Sequence, residues 1–217
     1  MNTTKFISLL FFQVFFISAS GQLSQPQLDS VVKDYTQALQ KKRIDTICVY
    51  EEYCNGCFFY SEKEIGLCEQ KIAFLPTYIF WKEKGKTFMT KKDACFNYSV
   101  IKISADSFWH FYSVNRDKLK KEELKKPQYL QIVNGKEKIN TIEIDNSIYY
   151  RIRLQLAKDF MVKNINNFYF TLELGENLEK NINYDYNMKS LLNGLHSSLQ
   201  RTIHRELEKK RLIGVLR

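Results

Sequence analysis

The sequence of 217 residues contains few of the residues that break regular structure, with 8 Gly and 3 Pro. It is rich in aromatic residues instead, with 13 Tyr and 16 Phe, and it has no internal repeat or low-complexity segment. Disordered and fibrous proteins have the opposite composition. The composition therefore predicts a folded globule, and the length suffices for one well-buried domain or two small ones.

Common catalytic and metal-binding motifs are also missing. The sequence has no Gly-x-Ser-x-Gly, His-Glu-x-x-His or phosphate-binding glycine loop. Its histidines, His110, His196 and His204, lack metal-ligand spacing, and we expect the last two at the surface or an interface. Acidic pairs such as Glu51 and Glu52 can be judged only in three dimensions. We expect no metal and no cofactor, and the sequence leaves enzymatic activity open while favouring a protein without it.

No apolar run is long enough to cross a membrane. The run at residues 6–17 follows Lys5 and covers about twelve residues, whereas a bilayer needs roughly twenty. Ala19 and Gly21 have the small-x-small spacing of a signal-peptidase site. Residues 1–21 are therefore predicted to be a signal peptide cleaved after Gly21, which makes the protein secreted or periplasmic, with no membrane span in the mature chain.

The formal charge of +9 falls to about +8 when residues 1–21 are removed, because they contain one Lys and no acid. The lysines are spread along the chain, which is typical of a solubilising surface rather than of the concentrated basic face that binds nucleic acid. Export argues against nucleic acid as well. The partner is unknown from sequence, and a protein or a glycan both remain open.

Five cysteines in an exported chain predict a disulfide framework. Because the number is odd, at least one thiol is free, intermolecular or redox-active. Cys48 lies six residues before Cys54, roughly 20 Å along a strand, which is too far for a disulfide. Cys48 therefore pairs with Cys68 or Cys95, or stays free. All five cysteines are disulfide candidates: Cys48, Cys54, Cys57, Cys68 and Cys95.

The sequence around Asn55-Gly56 predicts a tight hairpin, because both loop positions need the positive φ that Asn and Gly tolerate. Residues 44–53 would form its first strand, and Cys54 would then face Cys57 across the loop at a Cα separation of about 5 Å, within disulfide range. Strand alternation assigns two opposite sets of residues to the two faces of this strand. One set is Cys48, Tyr50, Glu52 and Cys54, and the other is Val49, Glu51 and Tyr53.

A second interpretation rests on Cys54-x-x-Cys57 after a strand, followed by Leu75-Pro76-Thr77 and a further strand and hairpin up to residue 86. This pattern resembles the thioredoxin family, and the resemblance implies a thiol-disulfide oxidoreductase with a cis Pro76 beside the redox pair. Only 18 residues separate Cys57 from Pro76, whereas one βαβ unit needs about 30. Asn-Gly also favours a turn over the helix start that lowers a thiol pKa. The oxidoreductase is therefore the alternative, and a zinc ribbon lacks its second cysteine pair.

The rest of the chain predicts hairpins between two terminal helices. A charged run at residues 118–128 is a candidate subdomain boundary. The predicted segments are a helix at 27–42, a hairpin of 71–84 and 87–90, a strand at 96–104, a helix at 106–126, a hairpin of 129–133 and 141–144 around Asn134-Gly135, strands at 147–160 and 167–174, and a helix at 186–212.

We therefore predict an α+β fold with an N-terminal helix, a mainly antiparallel sheet built from hairpins and a long amphipathic C-terminal helix packed on it. Residues 22–217 are expected to form a single domain. The predicted function is a disulfide-stabilised binding or structural module without catalysis. Aromatic residues near the first hairpin could form a ligand patch, namely Tyr50, Tyr53, Tyr60 and Trp81.

Overall fold

The computed structural model describes residues 25–55, 75–93, 95–104, 107–144, 146–175 and 178–216. It confirms the predicted α+β class, with the helix Gln25–Lys41 as the first described element, the helix Leu191–Glu208 near the C-terminal end of the described residues and an antiparallel sheet of eight strands. The elements are, in chain order, α1 (Gln25–Lys41), β1 (Thr46–Asn55), β2 (Thr77–Glu83), β3 (Lys86–Lys92), β4 (Phe96–Tyr98), β5 (Ile101–Ile103), α2 (Ser107–Lys121), β6 (Gln128–Val133), β7 (Lys136–Thr141), β8 (Ser147–Leu156), β9 (Asp159–Asn166), a 3-10 helix (Asn167–Phe170), β10 (Glu173–Leu174), β11 (Glu179–Lys180), α3 (Tyr184–Met188), α4 (Leu191–Glu208) and β12 (Gly214–Leu216).

Strand β1 lies inside the sheet, whose strand order is β12-β4-β3-β2-β1-β8-β9, with β5 paired to β3. Cys48 of β1 is level with Phe80 of β2 on one side and Leu154 of β8 on the other. The connection from β2 to β3 is the two-residue turn Lys84-Gly85, where φ is +51° and +72°. Both angles are those of a type I′ hairpin turn, so this predicted hairpin is confirmed.

Helices cover both faces of the sheet. Successive side chains of a strand point to opposite faces, and apolar side chains on both faces are buried under helices. Helices α2 and α4 cover one face with a core that includes Cys48, Tyr50, Phe80, Phe108, Ile152, Leu195 and Leu199. Helix α1 covers the other face with a smaller core of Leu28, Val32, Leu39, Ile44, Ile47, Val49, Ile79 and Trp81. The face assignment predicted for β1 is therefore confirmed at Cys48, Tyr50 and Val49.

The prediction of one continuous helix at 186–212 is wrong. The segment forms α3 and α4, and the chain is extended at Ser190 between them, with φ −66° and ψ 152°. The Ser190 side chain accepts a hydrogen bond from Asn193 N and so caps α4. The Glu122 carboxylate accepts from Leu191 N and Leu192 N, at 3.1 and 2.7 Å. These two caps satisfy amides at the start of α4 that have no partner within the helix.

The strand predicted at 167–174 is also wrong, except for Glu173–Leu174. The β8–β9 ladder reaches Asn166, which is level with Tyr149. Asn166 then caps the 3-10 helix Asn167–Phe170, because its side chain accepts from Phe168 N at 2.9 Å. The aromatic residues of this segment have high strand propensity, but the local side-chain cap outweighs it.

The first predicted loop cannot be compared with the structure. Strand β1 extends to Asn55, level with Ser147, and Gly56, Cys57, Tyr60 and Cys68 lie outside the described residues. The predicted signal peptide at 1–21 lies outside them too. Within the described part of the chain, none of the helices has the length and apolar character of a membrane span.

Candidate functional site

The described cysteines have different states. Cys48 is a free thiol, fully buried between β2 and β8, and burial raises its pKa above the ordinary thiol range. Cys54 and Cys95 are each disulfide-bonded. Because Cys57 and Cys68 lie outside the described residues, the pairing of the disulfides stays a prediction.

The residues of the proposed redox site are only partly described. Cys54 lies within strand β1, level with Ile148 of β8, rather than at the start of a helix. Pro76 lies beside the same strand, since its carbonyl accepts from Glu52 N at 3.4 Å. The peptide bond before Pro76 is trans, unlike the cis bond that the thioredoxin resemblance implies. Redox chemistry at Cys54 and Cys57 stays a prediction.

The predicted aromatic patch near the first hairpin is not exposed at two of its residues. Tyr50 and Trp81 belong to the two cores on opposite faces of the sheet. Tyr53 is half-buried, and Tyr60 lies outside the described residues. Alternation along β1 also separates Glu51 and Glu52 onto opposite faces, so these neighbours cannot act together as a carboxylate pair.

The expectation that His196 lies at the surface is wrong, whereas His204 is exposed as expected. His196 is 4% exposed, because α4 turns this side of the helix onto the sheet. Its Nδ1 is 3.2 Å from the Tyr50 hydroxyl, and its ring packs 4.4 Å from the ring of Tyr150. Burial lowers the pKa of His196 to about 4, so the imidazole is neutral at neutral pH. This contact satisfies two buried polar groups and joins α4 to the sheet.

An open surface of the sheet lies on the α1 side of β8 and β9. We call it the outer-strand surface. Every second residue of the two strands points to this side, and Phe160 and Val162 are 58% and 43% exposed. Its members are Tyr149, Arg151, Arg153 and Gln155 of β8, and Phe160, Val162 and Asn164 of β9.

Two arginines of the outer-strand surface lie over a buried carboxylate. Glu51 Oε1 is 2.6 Å from Arg153 Nη2, and Glu51 Oε2 is 3.7 Å from Arg151 Nη1. The Glu51 side chain is 7% exposed, whereas those of Arg151 and Arg153 are about one third exposed. Burial raises the pKa of Glu51, while the charges of Arg153 and Arg151 lower it. Glu51 thus holds the two guanidinium groups at the surface, and part of each remains open to solvent.

A cavity of about 150 Å³ opens at one end of the outer-strand surface, between α1 and the strands. It has room for several water molecules or a short side chain. Its apolar wall contains Ile47, Val49 and Phe160, and Arg153 adds a cation. The Gln40 amide of α1 donates to Gln155 Oε1 at 2.8 Å and joins the two sides of the cavity.

A second cavity of about 150 Å³ opens at the other end of β8. Tyr149, Asn166 and Tyr169 are among the residues that line it, together with Lys126 and Glu143. Tyr149 and Gln155 are six residues apart on the same face of the strand, which places the two cavities roughly 20 Å apart. The two cavities therefore lie in line along β8, with Arg153 in the wall of the first and Arg151 between the two.

The stretch between the cavities is held by aromatic and polar contacts. The rings of Tyr53 and Tyr149 stack with centroids 5.4 Å apart, and the Arg151 guanidinium lies 4.9 Å from the Tyr53 ring. Arg151 Nε also donates to Asn164 Oδ1 at 3.2 Å. Arg151 is therefore held in one orientation before any ligand arrives.

The arrangement offers a ligand two partly exposed guanidinium groups and an apolar cavity wall. Among the described residues, no three His, Cys, Asp or Glu side chains are grouped as metal ligands. Sequence reasoning missed this site because its central contact joins Glu51 to Arg153, 102 positions later. The alternation of Arg151 and Arg153 with apolar residues in β8 was the one available signal.

Comparisons with known proteins add no family, since no protein-family model, curated protein or solved structure matches the chain.

Proposed function

We propose that this protein is an exported, disulfide-stabilised binding module without catalysis, and that it binds an extended acidic segment of a protein partner on the outer-strand surface. The signal-peptide pattern at residues 1–21 supports export, and the five cysteines support the disulfide framework. The binding role is supported mainly by one observation, namely that two cavities open on the same face of β8, with Arg153 in the wall of the first and Arg151 between the two.

The spacing of the site fits an extended peptide. A strand rises about 3.3 Å per residue, so a peptide of about six residues would span the roughly 20 Å between the cavities. Alternate side chains of an extended peptide point the same way, which would place an apolar side chain toward the first cavity, an acidic one toward the arginines and a polar one toward the second cavity. The first cavity has an apolar wall at Ile47, Val49 and Phe160 that suits this arrangement.

The charge of the site fits a carboxylate. Two guanidinium groups face one buried carboxylate at Glu51. Arg151 Nη1 lies 3.7 Å from Glu51 Oε2, which is longer than a hydrogen bond. A ligand carboxylate beside Arg151 would add a charge-assisted hydrogen bond. The net positive charge of the chain would also favour the approach of an acidic partner.

A glycan fits the surface less well. Sugar rings stack on exposed aromatic faces, whereas the Tyr53 and Tyr149 rings stack on each other and Arg151 lies against Tyr53. Phe160, at 58% exposure, is the aromatic ring of this surface most open to a ligand. One exposed ring supports an apolar side chain better than a chain of sugars.

Calorimetric titration tests the proposal, with a capped peptide of about seven residues that carries an apolar residue, a Glu and a polar residue at every second position, so that all three point to the same side, and Ser or Thr between them. We expect Arg151→Gln to weaken binding about tenfold, because one charge-assisted hydrogen bond is worth ~1.4 kcal/mol or more. Lys102→Gln is the matched control, since it removes one exposed positive charge from β5, which is not part of the outer-strand surface. A peptide with Gln in place of Glu controls for the ligand charge. Equal affinities of the two variants would contradict the proposal.

A further inference from the structure

The C-terminal end of helix α4 gathers three cationic side chains around one buried carboxylate. Glu206 is fully buried, at 0% exposure. Its Oε1 lies 3.1 Å from Lys209 Nζ and 3.6 Å from Arg205 Nε. Its Oε2 accepts a hydrogen bond from Arg211 Nη2. Because all three cations contact the same carboxylate, they converge on one point of the surface.

This cluster has an excess of positive charge. The single carboxylate neutralises one of the three cations, which leaves two positive charges over. The C-terminal end of a helix favours cations but supplies only about half an elementary charge. The other acid of this turn, Glu208, contacts His204 at 3.1 Å, and Lys210 adds a further exposed cation. Like charges this close repel one another, and a bound anion would relieve the repulsion.

The cations of the cluster are oriented and still open to a ligand. Their side chains are 40–42% exposed. Arg211 is fixed at both ends, since its Nη1 donates to the Lys102 carbonyl at 3.2 Å and its own carbonyl accepts from Ser99 Oγ at 3.3 Å. Arg205 Nε has no hydrogen-bond partner among the described residues. Its contact with Glu206 is therefore a charge contact only, and a guanidinium fork of this kind suits phosphate oxygens.

We propose that the end of α4 binds a phosphate group that carries two negative charges, as inorganic phosphate or a phosphate monoester does. Such a group has a charge of about −1.5 to −2 at neutral pH and three strong acceptor oxygens, which match the excess charge and the donors of the cluster. Arg205, Lys209 and Arg211 contact the phosphate, and Glu206 orients them from below. Helix α4 covers the face of the main sheet opposite to α1, so this site is separate from the outer-strand surface.

A titration followed by ¹H–¹⁵N chemical shifts tests the site, with chloride used to keep the ionic strength constant. We expect methyl phosphate to give saturable shifts in the amides of residues 205–211. Dimethyl phosphate carries one negative charge and should bind about tenfold more weakly, because it loses a charge-assisted contact. Inorganic phosphate distinguishes the source of the group: binding as tight as that of methyl phosphate identifies the free ion, and weaker binding identifies an ester.

Substitutions at the cluster test the residues that bind the phosphate. Arg205→Gln and Lys209→Gln should each weaken the binding of methyl phosphate about tenfold, and the same spectra show that each variant is folded. Lys118→Gln is the matched control and should bind as the wild type does. It removes an exposed cation from α2, one turn before Glu122, which caps the opposite end of α4. Wild-type protein without saturable shifts at residues 205–211, equal affinities for methyl and dimethyl phosphate, or folded cluster variants with wild-type affinity would overturn the proposal.

Discussion

Glu51 Oε1 of β1 and Arg153 Nη2 of β8 lie 2.6 Å apart, although the two residues are not directly opposite each other in the β1–β8 pairing. Arg151 is the residue directly opposite Glu51, and Arg153 is the next residue on the same face, opposite Val49. One carboxylate thus orients two successive guanidinium groups. The contact explains why a glutamate is tolerated at 5% exposure beside the apolar core under α1.

Removing Arg153 should destabilise the fold. Arg153→Met leaves the buried Glu51 carboxylate without its closest cation, a change that costs 3–5 kcal/mol for fully buried pairs. Since Arg153 is one third exposed, we expect a loss of about 2 kcal/mol in urea unfolding. The double variant Glu51→Gln with Arg153→Met should recover most of it. A double variant no more stable than the single one would contradict this account.

The stability of the protein should fall as the pH is lowered from about 6.5 to about 4. Burial holds the pKa of His196 near 4, whereas an unfolded histidine titrates near 6.5. In this window the unfolded chain binds a proton that the folded chain excludes, so acid favours unfolding, by up to about 3 kcal/mol. His196→Gln should lose this part of the pH dependence in urea unfolding at a series of pH values. His204→Gln, at an exposed histidine, should keep it.

Cys48 should be chemically inert in the folded protein. Its thiol is fully buried, and burial raises its pKa, so the reactive thiolate is suppressed. We expect alkylation of the oxidised protein, followed by mass spectrometry, to label Cys48 only after unfolding. Rapid labelling of Cys48 under native conditions would contradict the packing described for β1.

Thiol labelling after mild reduction tests the redox alternative. A disulfide at Cys54 that is reduced selectively under mild conditions, and that leaves a thiol reactive below pH 7.5, would favour an oxidoreductase over a binding module. We expect instead that reduction requires unfolding.

Glu122 should stabilise α4 through its two hydrogen bonds to the first amides of the helix. Glu122→Ala removes both acceptors and a negative charge from the helix start, which costs about 1–2 kcal/mol. Thermal or urea unfolding measures the loss. The neighbouring Glu123 is exposed, and Glu123→Ala should change the stability by less than about 0.5 kcal/mol.

The sequence predicts those parts of the fold whose signals are local. The turns at Lys84-Gly85 and Asn134-Gly135 follow from residues within each turn, whereas the positive φ of Lys84 does not follow from its residue type. The two faces of β1 follow from alternation, since Cys48 and Val49 belong to opposite cores. The α+β class then follows from short connections between strands.

The remaining features depend on contacts between distant parts of the chain. His196 could face either way on a helix whose apolar stripe is broad, and only the sheet position of Tyr50, 146 residues earlier, makes it buried. The interruption before α4 depends on the Glu122 carboxylate, about seventy residues away. The outer-strand surface needs the β1–β8 register, which no local pattern contains. Binding sites built from such pairings are therefore visible only in the fold.

The most direct test of the proposed binding site is a map of ¹H–¹⁵N chemical-shift changes on addition of the capped Glu-containing peptide. Our account predicts that the shifted amides cluster in β8, in β9 and in the α1 turns that carry Thr36 and Gln40, and that Arg151→Gln reduces these shifts. Shifts confined to other elements, such as α2 and α4, or no shifts at all, would contradict it.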